Sequence, residues 1–280
     1  MRDGRISIQQ HLVVFLLRFL TCLPRRTRPY LAGGLARLIL AMARRTRTRA
    51  AGNVNKALPN LSSEQVKRLC FRSYATIIRG LLDCLDLNNL EIEIYCDESV
   101  RQQLNGGRGL CVATLHTCCY ELVPLALQRL TGRSVTLTHM PAFIPSAHNP
   151  YQRAGIDYVE KKQDGAFVRL LQHIQQGAVV SLHADLFARD VNVNFFGRQT
   201  TAPAGPAMLS AFAGTPMLLA YGCIGDNGRY QVYIESFMTE PVARTKQAYT
   251  EAIQLLYDRF ERIILRYPEQ WYWSFNRWRT

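Results

Sequence analysis

Residues 110–121 read LCVATLHTCCYE, and the reading of this stretch decides the fold. Leu110 to Leu115 is a short, continuously apolar run, the pattern of a strand buried on both faces, and a helical stretch follows over about Tyr120 to Leu130. A buried strand that feeds a helix belongs to a parallel sheet covered by helices on both sides. The loop between them holds the polar residues His116 and Glu121.

The alternation recurs outward along the chain. Toward the carboxyl end, Ser134 to Thr138 (SVTLT) precedes a loop over Pro141 to Asn149, and Ile156 to Glu160 leads into a helix over about Ala166 to Gln175. Ala178 to Leu182 (AVVSL) opens onto a long loop. Thr201 to Phe212 is predicted to be helical, with Thr201 as its cap and Pro203 in its first turn. Pro216 to Tyr221 (PMLLAY) and Tyr230 to Phe237 are expected to pair across Asp226-Asn227-Gly228, and a helix over about Thr245 to Leu265 closes the domain. Toward the amino end, Leu90 to Cys96 (LEIEIYC) alternates apolar and charged side chains as a half-buried edge strand does. Before it, Ser62 is placed to cap a helix running to about Leu85, with Gln65 bonding back and Leu61 against Val66. The predicted fold is therefore α/β, a mostly parallel sheet flanked by helices over residues 89–280. A basic, membrane-associated helical region precedes it over residues 1–88.

The chain has 280 residues, 48% hydrophobic side chains and a formal net charge of +13. That composition suits a globular core and excludes disordered and fibrous classes. The charge is concentrated: the first 50 residues hold eleven arginines and one acid, Asp3. Between the arginines lie two greasy runs, His11 to Leu23 and Tyr30 to Met42. Neither reaches the roughly 18 to 20 uncharged residues that span a bilayer. An interfacial or re-entrant helix beside anionic lipid is the expectation, with a short signal anchor or ordinary core helices as alternatives. Eight cysteines without a C-x-x-C pair read as reduced thiols and not as a disulfide framework or zinc ribbon.

Parallel sheets place their sites at the carboxyl ends of their strands. His116 occupies such a position, and a carboxylate that accepts one imidazole N–H leaves the other nitrogen basic enough to take a hydroxyl proton. Glu121 is the expected carboxylate; its alternative is to favour the dipole of the following helix. Phe195-Phe196-Gly197-Arg198 is a second candidate, with Arg198 beside a helix start suited to an anion. Phe195 and Phe196 are expected to help line an acyl groove with the amino-terminal helices. The ending from Pro268 to Arg279 interleaves three tryptophans with arginine, which suits a membrane interface, the rim of a lipid site, base stacking or plain packing. Other readings are a thiol nucleophile at Cys118 or Cys119, and a metal site from His183 and Asp185 with His139 or His148. A further one is a binding module for membrane or nucleic acid that uses only the basic end.

Taken together, HTCCYE, the segment NFFGRQTTAPAG, the ending PEQWYWSFNRW and the stretch Arg49 to Leu69 resemble the late acyltransferases of lipid A biosynthesis, within the lysophospholipid acyltransferase superfamily. The resemblance covers nearly the whole chain. It implies that an H-x-x-x-x-[DE] pair falls on His116 and Glu121, with His116 as general base toward an acceptor hydroxyl. It also implies an acyl carrier protein or coenzyme A thioester as donor, no resident cofactor or metal, no nucleic acid partner, and the cytoplasmic face of an inner membrane. Arg153, Arg189 and Arg198 are expected substrate contacts, since a thiolate leaving group and anionic headgroups call for fixed positive charge, and Asp185, Phe196 and Gly197 are expected to contact substrate beside them. The chain departs from the family pattern at His139-Met140-Pro141, at Asp185-Leu186 and at Gly222-Cys223-Ile224, positions that bear on the acceptor.

Overall fold

The computed structural model describes Leu20, residues 23–139 and residues 149–279. The run His11 to Leu23, the loop after Thr138 and His148 fall wholly or largely outside the described residues. Three helices lead the described chain: α1 (Arg28–Met42), α2 (Arg44–Ala57) and α3 (Ser63–Cys84). The capping box expected at Ser62 is present: its hydroxyl accepts from the Gln65 backbone N–H, and the Gln65 side chain accepts from the Ser62 N–H.

The sheet has seven strands: β1 (Ile92–Cys96), β2 (Leu110–Thr114), β3 (Ser134–Thr138), β4 (Asp157–Glu160), β5 (Val179–His183), β8 (Met217–Ile224) and β9 (Tyr230–Met238). Their order is β1-β9-β8-β2-β5-β3-β4. Strands β8, β2, β5, β3 and β4 run parallel, whereas β9 turns back antiparallel to β8 and β1 lies parallel to β9 at the edge. The expected α/β architecture, the hairpin through Asp226-Asn227-Gly228 and the edge strand are all observed.

Every residue of β2 is buried, and its side chains alternate between two cores. Leu110 and Val112 join a layer with α4 (Glu98–Asn105) and α5 (Leu122–Thr131). Cys111 and Ala113 face the other layer, formed by α7 (Ala166–Gln175), α8 (Gly205–Ala213) and α9 (Lys246–Arg266). A short turn of helix, α6 (Pro150–Arg153), precedes β4.

One segment departs from its sequence reading. The predicted helix over Thr201 to Phe212 begins only at Gly205, and Thr201 lies in a strand. Strands β6 (Val191–Phe195) and β7 (Arg198–Ala202) form a separate antiparallel hairpin. Phe196 and Gly197 occupy its turn with φ of 52° and 68°, the left-handed pair that a tight hairpin turn requires. A run of threonines pairs across the ladder as strand, which β-branching favours, so Thr201 caps nothing.

Candidate active site

β2 delivers the chain to the carboxyl edge of the sheet, and His116 is the second residue beyond it. β5 lies directly beside β2, with Thr114 opposite His183 in register. Asp185, two residues past β5, therefore comes up next to His116. Its Oδ1 lies 2.7 Å from His116 Nδ1, and its Oδ2 accepts the His116 backbone N–H at 3.1 Å. The Trp271 indole N–H donates to the same Oδ2 at 2.8 Å. The His116 side chain keeps 16% of its area exposed and Asp185 only 1%.

Burial acts to raise the Asp185 pKa, but the facing His116 charge and the hydrogen bonds from His116 and Trp271 outweigh it and hold the carboxyl down at about 2. Asp185 is thus a carboxylate at neutral pH, and it accepts the Nδ1–H of His116. That hydrogen bond fixes the tautomer and leaves Nε2 with its lone pair, the form a general base requires.

Glu121 does not make the contact expected of it. Its Oε1 accepts a short hydrogen bond from the Tyr151 hydroxyl, which also meets Thr138 Oγ1 at 3.0 Å. Glu121 is buried at the start of α5, and burial pushes its pKa up to about 7 against the opposing pull of Tyr151 and His116. The imidazole is held by a carboxylate, as expected, but that carboxylate belongs to Asp185. Asp185 in turn lies behind His116, with its oxygens occupied, and is no free substrate contact.

A second imidazole stands against the first. The His183 ring lies 4.2 Å from that of His116, and Tyr120 packs edge-on to both. Burial foremost, and then the His116 charge, lower the His183 pKa to about 3, so that this ring stays neutral.

The loop from His116 to Glu121 is clamped from two sides. Thr117 Oγ1 donates to the Gly222 carbonyl at 2.6 Å, and the Cys118 N–H donates to the Gln270 carbonyl at 2.7 Å. Cys118 adopts φ 34°, an uncommon value for a residue with a side chain. The Ser73 hydroxyl of α3 donates to the Trp271 carbonyl, and Asn53 Nδ2 of α2 donates to the carbonyls of Trp273 and Phe275. Two of the three carboxyl-terminal tryptophans are therefore core and not an interfacial belt: Trp271 and Trp273 are buried, Trp278 is half-buried, and Phe195 packs among Trp271, Trp278 and Tyr257. Phe195 is fully buried, so among the described residues it lines no open groove.

The remaining expected site residues are dispersed. Arg153 ends α6 and Arg189 lies in the loop after Asp185, both exposed. Phe196 and Gly197 form the hairpin turn, and Arg198 donates from Nε to the Lys56 carbonyl of α2 at 3.3 Å. Cys118 and Cys119 are fully buried, and burial pushes the Cys118 thiol well up, which opposes a thiolate nucleophile. His139 pairs with Glu160 at 2.6 Å; among the described residues no cluster of three or more His, Cys, Asp or Glu could hold a metal. A cavity of about 740 Å³ opens at the opposite, amino-terminal end of β2, lined by Gly107, Gly177 and Thr215, and takes no part in this site.

A partly exposed histidine oriented by a buried aspartate, at the carboxyl edge of a mostly parallel sheet, is an arrangement suited to base-assisted group transfer. Over residues 4–280 the sequence matches the family described as bacterial lipid A biosynthesis acyltransferase, and the chain belongs to that family. It is accordingly an acyltransferase. A search of curated proteins finds no match to it.

Sequence reasoning missed Asp185 as the partner of His116 and Trp271 as the brace behind it. The available signal was that Asp185 follows a buried strand by two residues, as His116 does.

Proposed function

We propose that the protein moves a fatty acyl chain from an acyl carrier protein or coenzyme A thioester to a hydroxyl of a lipid A precursor or a related lipid acceptor. Its proposed place is the cytoplasmic face of the inner membrane. The observation that carries the chemistry is the 2.7 Å contact from His116 Nδ1 to the buried, ionised Asp185. In this reading His116 Nε2 takes the acceptor hydroxyl proton while the oxygen attacks the thioester carbonyl. The tetrahedral intermediate then expels the thiolate, which recovers the proton from the imidazolium. Asp185 stabilises that imidazolium, and Glu121 secures the start of α5 through Tyr151. Arg153 and Arg189 are the proposed contacts to donor or acceptor phosphate; Arg198, Phe196 and Gly197 support the site from the hairpin.

The test is transfer from an acyl carrier protein thioester to a lipid A precursor, followed by mass spectrometry. His116→Ala should lower kcat by roughly 10²- to 10⁴-fold with little change in KM, and Asp185→Asn should approach the same loss. Product formation at the wild-type rate by His116→Ala would refute the reading.

A further inference from the structure

Far along α3 from the catalytic loop, a groove of about 340 Å³ lies between α1, α2 and α3. Leu40 of α1, Ala51 of α2 and Phe71 of α3 give it apolar walls. Its three charged lining residues, Arg37, Arg47 and Lys67, come one from each helix and are all cations. The Arg37 guanidinium sits 5.2 Å from the centre of the Phe71 ring, and Arg47 donates to the Leu40 and Ala41 carbonyls, so two of the three cations are held in place.

The surface beside the groove is equally particular. Leu38 and Met42, one helical turn apart on α1, are 56% and 77% exposed. A soluble ligand or a nucleic acid gains nothing from that bare apolar ridge. A bilayer does, since the ridge can enter the acyl region while arginines and lysine stay at headgroup depth. Among the described residues no helix is long and apolar enough to cross a membrane, so attachment by this part of the chain would be at the surface.

We infer that this groove is a binding site for one anionic phospholipid of the bilayer, its phosphate held among Arg37, Arg47 and Lys67 and the upper part of its chains against Leu40, Ala51 and Phe71. The inference rests on the proposed membrane location but on none of the acyl-transfer chemistry. Its consequence is orientation: α3 carries both the groove and Ser73, whose bond to Trp271 braces Asp185 and with it His116. A lipid seated here sets that helix, and the catalytic edge it supports, at a fixed attitude to the membrane.

The experiment is co-sedimentation of the full chain with vesicles of phosphatidylcholine alone and of phosphatidylcholine mixed with phosphatidylglycerol; the quantity read is the ratio of the two affinities. A general basic film would lose the same preference from any two arginines or lysines near the surface. The Arg37→Ala/Lys67→Ala pair is therefore set against Arg44→Ala/Arg45→Ala, which removes two charges outside the groove lining. The groove pair should lower the ratio by roughly tenfold more than the control pair, beyond what two surface charges supply. Ala51→Gln, which obstructs the groove without changing charge, should lower it as well. Circular dichroism of each variant confirms that the helices persist. Equal losses in the two pairs, an unchanged ratio in Ala51→Gln, or no anionic preference in the wild type would each overturn the site. His116→Ala should keep the full ratio, so that failure of the lipid site and failure of the catalytic reading are read separately.

Discussion

Two carboxylates flank the same imidazole loop, both buried, and their surroundings drive them to opposite states. Asp185 faces the His116 charge and the Trp271 N–H and is held down at about 2, whereas Glu121 faces a neutral Tyr151 hydroxyl and is pushed up to about 7 by burial. A glutamate ordinarily titrates near 4.5. Between that value and 7 the folded chain retains a proton that the unfolded chain has released. The associated stability is complete below the unfolded value and is lost as pH rises through the folded one. Glu121→Gln, which cannot ionise and still accepts from Tyr151, should therefore match the wild type at pH ~4.5 and exceed it at pH ~8, by on the order of 3 kcal/mol at most. Urea unfolding at the two pH values measures this, and a difference that does not change with pH would remove the titration from Glu121. The position of His116 was legible in its sequence, because a buried apolar run followed by a polar loop is a local pattern. The partnership with Asp185 was not. It depends on β5 lying beside β2 although two other strands intervene in the chain, and that adjacency is settled by packing.

At the scale of elements, α3 is read from the sequence with little error because its amino end carries its own signals, Ser62 and Gln65. What the helix does near its other end depends on Gly80, which its sequence does not single out. A Cβ at Gly80 would lie 2.4 Å from the Cys118 carbonyl oxygen and 2.8 Å from the Cys119 Cα. Propensity alone favours alanine over glycine in a helix by about 1 kcal/mol. Here the backbone of the His116 loop occupies the space, and overpacking of this kind costs about 1–3 kcal/mol. Gly80→Ala should therefore lower Tm and also lower kcat, because the loop that yields carries His116. A variant with raised Tm and full activity would show that α3 does not set the loop. The β6–β7 hairpin and the tryptophan ending were harder to read for a related reason. Phe195, Trp271 and Trp273 satisfy an interfacial pattern and a core pattern equally well in one dimension. Long-range contacts place the ending inside, among them the hydrogen bonds from Asn53 and Ser73, which span most of the chain, and the bond from Trp271 to Asp185.

Across the whole molecule, the amino-terminal helices are joined to the sheet by a buried charge cluster. Arg28 Nη1 of α1 donates to Asp83 Oδ1 of α3 at 2.8 Å, with both side chains almost fully buried. Asp83 Oδ2 accepts from the Tyr230 hydroxyl of β9 and lies 3.6 Å from Arg79 Nε. The apolar cluster between α1 and α3 is built on Ala32, Ala36, Ile78 and Leu82, with Leu31, Leu35, Ile39 and Phe71 packed half-buried against it, and the charge cluster adds directional contacts that fix the register of α1. A buried pair adds little net stability over an apolar replacement, but removal of one partner strands the other, at about 3–5 kcal/mol. Arg28→Met should fall near the lower end of that range, since Arg79 and Tyr230 still face Asp83. Asp83→Asn in the same background relieves the stranded charge, so the double variant should be less destabilised than the two single losses summed, and the cycle yields the coupling directly. Because His116 and Asp185 are braced by Trp271 and not by α1, the Arg28→Met protein that remains folded should transfer acyl groups with kcat close to that of the wild type. Additive losses in the cycle, or a kcat that falls in step with stability, would mean that α1 is not joined to the sheet through this aspartate, or that its seat and the catalytic edge are one cooperative unit.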